Sequence, residues 1–216
     1  MPVITVTHPL VKHKLDLPPE YLRKISKEEI NSLPQAQYDG EILLVREAAD
    51  LGPALARLDG EDVLGFDTET RPSFSKGTAH PPALLQLAGA DLVILVQLAL
   101  APLNEALAAL FTDENIVKAG VAVRDDIKGL QRLLPFMPAG FIDLSECARG
   151  AGLETFGLRP LAANFLGVRI SKNAQCSNWG NQSLNAQQIR YAATDAWISR
   201  EICLRMRSLG VNLHGL

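Results

Sequence analysis

Residues 63–74 read VLGFDTETRPSF. The stretch opens as an apolar run of the kind that forms a buried strand. It then ends in two carboxylates one residue apart, Asp67 and Glu69. Side chains at i and i+2 of a strand point to the same face, so both acids are aimed at one place, at the end of an element that belongs in a core. Burying an unpaired carboxylate is costly. The pair therefore calls for cations, and the rest of the sequence has to say which.

Working outward, strands alternate with helices. EILLV (41–45) reads as a strand and EAADLGPALARL (47–58) as a helix, followed by the acid-tipped strand. ALLQLAG (83–89) and LVILVQL (92–98) read as hairpin strands turning at Ala90-Asp91, with Gln86 expected to serve sheet packing. LNEALAALF is a helix, IVKAGVA a strand, VRDDIKGLQRLL a helix and GFIDLS a short strand. After residue 152 the pattern is mainly helical, with LRPLAANFL and a long helix from about Asn185 to Ser208. Alternation of this kind argues an α/β fold, with a mixed sheet because of the hairpin. Residues 1–38 read as an N-terminal arm, with scattered prolines, basic Lys12, His13 and Lys14, and one short helix announced by the capping box Ser26–Glu29. Residues 39–216 read as the domain. The loop RPSFSKGTAHPP (71–82) is rich in Pro, Gly and Ser and is expected to be mobile or to face a ligand.

Bulk properties exclude several classes. With 21 basic against 24 acidic residues the net charge is −3, so any polyanion must be held by a local patch or by metal ions. Cys147, Cys176 and Cys203 form no CxxC pair and are expected to stay reduced. No stretch has the length and apolarity of a membrane span or a signal peptide, so no membrane partner is expected and the location expected is cytoplasmic.

Further acids stand in unusual places. In the long helix, Tyr191, Asp195, Ile198 and Ile202 fall on one stripe, which puts an aspartate inside an apolar face. Asp125 and Asp126 open the helix that follows IVKAGVA. A first helical turn is an ordinary place for acids, and a lone buried Asp is usually an ion pair, but together the carboxylates outnumber the cations at hand. Carboxylates converging without Cys, and with no His nearer than His80, point to hard divalent ions, Mg²⁺ or Mn²⁺, rather than zinc. Between the neighbours, helix geometry decides. Val123, Ile127, Leu130 and Leu134 define the inward stripe, with Asp126 about 70° from its centre and Asp125 about 170° away.

FDTET, VKAGVAVRDDIKGL and YAATDAW resemble, in order and spacing, the three motifs of the DEDD exonuclease superfamily, and the tyrosine four residues before the last Asp resembles its DEDDy branch. The chain is similar to the ribonuclease D and Werner-syndrome exonuclease group from about residue 40 to 207, including ALLQLA and CSNW. The resemblance implies a ribonuclease-H-like mixed β-sheet flanked by α-helices. It implies a 3′–5′ exonuclease acting on the 3′ end of single-stranded DNA or RNA and releasing nucleoside 5′-monophosphates with two divalent ions. It also implies that Asp67, Glu69, Asp126 and Asp195 serve as metal ligands and that Tyr191 orients the attacking water.

Substrate contacts are expected from Arg71, Lys76, Arg124 and Lys172, and base stacking from Phe74 or Trp179. Two rival readings stand beside this one. A catalytically weak nucleic-acid-binding module of the same fold would keep the motifs without turnover. An aspartyl phosphatase with a DxDxT loop would leave Tyr191 and Asp195 unexplained, and Glu69 stands where that motif has Asp.

Overall fold

The computed structural model describes residues 17–72, 80–213 and 215. Six strands, β1 (Glu41–Val45), β2 (Val63–Thr70), β3 (Pro82–Ala88), β4 (Leu92–Gln97), β5 (Val117–Gly120) and β6 (Phe141–Asp143), form one sheet in the order β1-β4-β3-β2-β5-β6. The β3–β4 hairpin is antiparallel, as is β2–β3, while β1–β4, β2–β5 and β5–β6 are parallel. The sheet is mixed for the reason the sequence suggests: Gly89 N–H donates to the Leu92 carbonyl across the Ala90-Asp91 turn.

Helices cover both faces. On one side lie α3 (Ala48–Ala56), α4 (Glu105–Thr112) and α5 (Val123–Leu133). They close over Leu64, Phe66, Leu85, Leu87, Ile94 and Val96, all fully buried. On the other side α6 (Leu144–Gly150), α7 (Leu158–Leu166) and α8 (Ala186–Ser208) pack on Val63, Ala119 and Ile142 and on Leu84, Ala88, Val93 and Leu95. Period-two alternation therefore splits β2: its even residues enter the first core and its odd residues face α8.

α8 begins at the Asn185 cap, whose side chain accepts from Gln188 N–H while Gln188 reaches back to Asn185 N–H. It crosses the sheet on small residues, Ala192, Ala193 and Ala196, all buried. The contact is backbone to backbone at one point: a methyl group on Gly65 would collide with the Ala196 carbonyl oxygen. That approach is what brings a β2 side chain and an α8 side chain to one place.

α1 (Pro19–Leu22) and α2 (Lys27–Ser32) lie in the N-terminal segment. The capping box of α2 forms, with Ser26 accepting from Glu29 N–H and Glu29 accepting from Ser26 N–H. The segment packs on the α8 side. The Tyr21 ring stacks on Phe165 at 5.3 Å, Ala36 N–H donates to the Arg169 carbonyl and Arg169 N–H to that of Pro34. Lys12, His13, Lys14 and most of the 71–82 loop, with Phe74 and Lys76, lie outside the described residues.

One element differs from the sequence reading. Leu144 and Ser145 open α6 rather than end a strand, because Asp143 closes β6 and caps the next helix with the same carboxylate, which accepts from Ser145 and Glu146 N–H. Residues 167–185 form an irregular connection between α7 and α8 that carries Lys172 and Trp179.

Candidate active site

β2 delivers Asp67 and Glu69 side by side on the face under α8, and α8 delivers Asp195 to meet them. Carboxylate oxygens of these three residues all lie within 4.8 Å of one another. Asp195 is buried and the other two are half-buried. Burial, then the neighbouring Asp126, Asp195 and Glu69, push the Asp67 carboxyl well above the usual range. Burial, then Asp195 and Asp126, push Glu69 up to about 9. Burial raises Asp195 to about 7 against the opposing effect of a hydrogen bond from Tyr191. Arg200, further along α8, brings no relief. It is held by Glu61 at 2.9 Å, by Glu201 at 3.2 Å and by the Val63 carbonyl.

Asp126 approaches from the opposite side. It sits in the first turn of α5, half-buried, and accepts from Thr68 Oγ1 at 2.6 Å. Thr68 is an even residue of β2, so its side chain points away from Asp67 and Glu69, onto the face that α5 covers, and meets Asp126 there. Burial raises the Asp126 carboxyl to about 6 while the Thr68 hydrogen bond holds it down. Asp125 points elsewhere. Its side chain is 93% exposed and pairs with Lys128 at 3.2 Å.

The turn into α5 is itself held. Ala122 adopts a left-handed conformation with φ 59°, which is strained for a residue with a Cβ. Its N–H donates to Asp143 Oδ1, the same oxygen that caps α6. Asp143 is thus a positioning group that sequence reading passed over, although it too is an acid ending an apolar strand. Alternation turns Thr68 away from Asp67 and Glu69 and toward α5, but nothing in the sequence pairs it with Asp126.

Tyr191 stands one turn before Asp195 and is half-buried. Burial, then the Asp195 charge and the hydrogen bond to it, raise its hydroxyl pKa, so the group stays protonated. Trp179 lies behind it, ring centroids 6.0 Å apart, and is 1% exposed. A buried indole has no face to offer a base, which corrects the stacking expectation: Trp179 backs Tyr191. Gln86 is paired in register with Asp67, is fully buried, and has neither amide atom hydrogen-bonded among the described residues. Arg71 and Arg124 are exposed, Arg71 beside Gly180 and Arg124 in the first turn of α5. Lys172 lines a cleft of about 200 Å³ together with Arg159, Tyr191 and Asp195.

Three converging carboxylates, all oxygen donors, with raised pKa values and no cation among the described residues to offset them, fit a hard divalent ion. Among the described residues no ligating Cys or His enters the cluster.

Comparison with known proteins agrees. The 3′-5′ exonuclease family model matches residues 43–210. The chain is 30% identical over 192 residues to the bifunctional 3′-5′ exonuclease/ATP-dependent helicase WRN of Mus musculus, covering 83% of this chain and 14% of that protein. It is 32% identical over 161 residues to ribonuclease D of Gluconacetobacter diazotrophicus, covering 71% of this chain and 39% of the other. The Aedes aegypti Nibbler EXO domain superposes with a TM-score of 0.71 at 26% identity, over 81% of this chain and 92% of that one. Escherichia coli RNase D superposes with a TM-score of 0.68 at 19% identity, over 79% and 46%, and so shares the fold. The chain spans less than half the length of the two curated relatives. It belongs to the 3′-5′ exonuclease family and has the ribonuclease-H-like mixed sheet flanked by helices.

Proposed function

We propose that the protein is a metal-dependent 3′–5′ exonuclease that hydrolyses the terminal phosphodiester of single-stranded DNA or RNA and releases nucleoside 5′-monophosphates. The observation that carries this reading is the convergence of Asp67, Glu69 and Asp195 within 4.8 Å beside a protonated tyrosine. Asp67, Glu69 and Asp195 would hold one divalent ion, and Asp67 with Asp126 a second, Mg²⁺ or Mn²⁺. Such ions, when bound, lower the pKa of water and shield the charge of a phosphodiester.

The chain's own groups supply orientation. Tyr191 keeps its proton across the neutral range, so it positions the attacking water by hydrogen bonding and is too weak a base to deprotonate it. Trp179 fixes the tilt of the Tyr191 ring, and Thr68 fixes the Asp126 carboxylate. The same proposal divides the chain into an arm, residues 1–38, and a catalytic domain, residues 39–216, which the start of the family match at residue 43 supports. A cytoplasmic setting belongs to it as well: no cysteine forms a disulfide, and among the described residues no helix is long and apolar enough to cross a membrane.

A 5′-labelled single strand tests the reading. With Mg²⁺ or Mn²⁺ it should shorten stepwise from its 3′ end, and chelator should stop the reaction. Full activity in chelator, or cuts within a circular strand, would overturn it.

A further inference from the structure

The cleft that holds Tyr191 and Asp195 does not end there. It shares Arg159, Pro160 and Lys172 with an adjoining cleft of about 310 Å³ that continues to Lys27, Ile30 and Asn31 of α2. This second cleft is lined by three cations and no acid. In a chain with more acidic than basic residues, a patch of one sign beside the acid cluster is a departure from the average. Its cations are also uncommitted. Among the described residues Lys27, Arg159 and Lys172 form no ion pair, while other arginines along the chain, such as Arg57, Arg149 and Arg207, are paired with acids at 2.6–2.9 Å. Arg159 Nε is buried with no hydrogen-bond partner, and a buried charged donor without an acceptor is costly unless a ligand supplies one.

The backbone adds to the field. Gly157 to Pro160, the first turn of α7, line the first cleft; this helix has no side-chain cap and no acid in its first turn. Its N-terminal N–H groups carry partial positive charge. The positive groups thus begin next to Asp195 and run outward to the N-terminal segment.

We propose that these two clefts form a track for the phosphodiester backbone of the strand on the 5′ side of the scissile bond, with Arg159, Lys172 and Lys27 each meeting a phosphate. The proposal rests on the exonuclease reading of the adjoining acids and names the substrate class: a single strand several nucleotides long, rather than a dinucleotide, uses the whole site. It also gives the N-terminal segment a role, since Lys27 of α2 closes the far end.

Two measurements test it. In chelator, binding of a 5′-fluorescein-labelled eight-nucleotide strand is followed by anisotropy against salt concentration. Replacing Lys27, Arg159 and Lys172 together with Gln should raise Kd about tenfold at low salt and reduce the magnitude of the salt slope by about 2, since each phosphate contact on a single strand contributes about 0.7. A control triple at the paired Arg57, Arg149 and Arg207 should keep the wild-type slope, and the exchange Lys27→Arg, Arg159→Lys and Lys172→Arg should restore it.

With metal present, the KM advantage of an eight-nucleotide strand over a dinucleotide should shrink in the Gln triple variant. Hydrolysis with an unchanged salt slope and an unchanged length dependence would overturn the track and leave the exonuclease intact. A changed slope without hydrolysis by the wild type would keep the track and overturn the exonuclease. No binding by the wild type, or an equal loss in the control triple, overturns the track.

Discussion

On the face of the sheet under α3, α4 and α5, Phe66 meets Phe111 edge-on at 6.2 Å and Phe141 at 5.1 Å, and Phe111 meets Phe136 at 5.0 Å. The charged group buried there, Lys118, is satisfied: its Nζ donates to the Asp113 carbonyl at 2.6 Å and lies over the Phe141 ring. On the face under α8, Tyr38 Oη, both amide atoms of Gln86, Gln97 Oε1 and Trp179 Nε1 are buried without hydrogen bonds among the described residues, and three carboxylates repel one another. One strand, β2, serves both. Its even side chains close an apolar core, and its odd ones are held in a polar arrangement that folding alone does not favour. The first face is satisfied from within, and the second carries the unpartnered polar atoms and the acids.

The sharpest way to break this division is to exchange neighbours on β2. Asp67→Asn should lower activity by about 10³-fold or more, because groups that act as a unit fail together. Its melting temperature in chelator should hold or rise, since a carboxyl whose ionisation is opposed by burial and by neighbouring acids gives way to a neutral amide. Phe66→Ala, one residue earlier, should cost about 3–5 kcal/mol of stability in urea unfolding, while the variant that remains folded keeps its turnover. If Asp67→Asn were the one to unfold, the two faces would not divide the labour as described.

A smaller effect appears in pH. The acids of the α8 face are raised, Asp195 to about 7 and Glu69 to about 9, with burial as the leading cause. A raised carboxyl keeps its proton in the fold at pH values where the unfolded chain has lost it, so the native state binds more protons and stability falls as pH rises. Without metal, this contribution should be intact near pH 4 and decline through about pH 9. Melting curves in chelator at pH 5, 7 and 9 should show the decline, and Mg²⁺ should flatten it. A metal-free protein that gains stability over that range would contradict the assigned environment of the acids.

The smallest effect has an unusual sign. Gln86→Leu replaces two unpartnered buried polar atoms with an apolar group of similar bulk, so stability should stay level or rise by about 1 kcal/mol. The same exchange at a hydrogen-bonded buried glutamine would destabilise. A loss above that size in chemical denaturation would show that Gln86 has partners in solution.

Much of this was legible in the sequence for definite reasons. An apolar strand ending in Asp67 and Glu69 announces its face by alternation, and Asp195 announces itself by interrupting an apolar helical stripe. The choice of Asp126 over Asp125 follows from the angular spacing of residues on α5. What escaped did so where one residue does two jobs or where no period exists. Asp143 ends β6 and caps α6, so a strand reading consumed the helix signal. Thr68 meets Asp126 on the α5 face, and no sequence period links a strand residue to the first turn of a later helix. Trp179 sits in an irregular connection whose path no periodicity predicts, so its burial behind Tyr191 was invisible.

The touch between Gly65 and the Ala196 carbonyl bears on how the molecule breathes. Elsewhere helix and sheet are separated by side chains, which can shift rotamer and act as a compliant cushion. Here backbone rests on backbone, two residues before Asp67 and one residue after Asp195. At this point the spacing of strand and helix is set by backbone packing alone, and parting their carboxylates would mean opening that contact. The connection between α7 and α8 is irregular and held by short turns, such as Gln175 N–H to the Lys172 carbonyl and Ser177 N–H to that of Ala174. The spacing of the acids is thus set by backbone packing, and the wall beside them by an irregular connection.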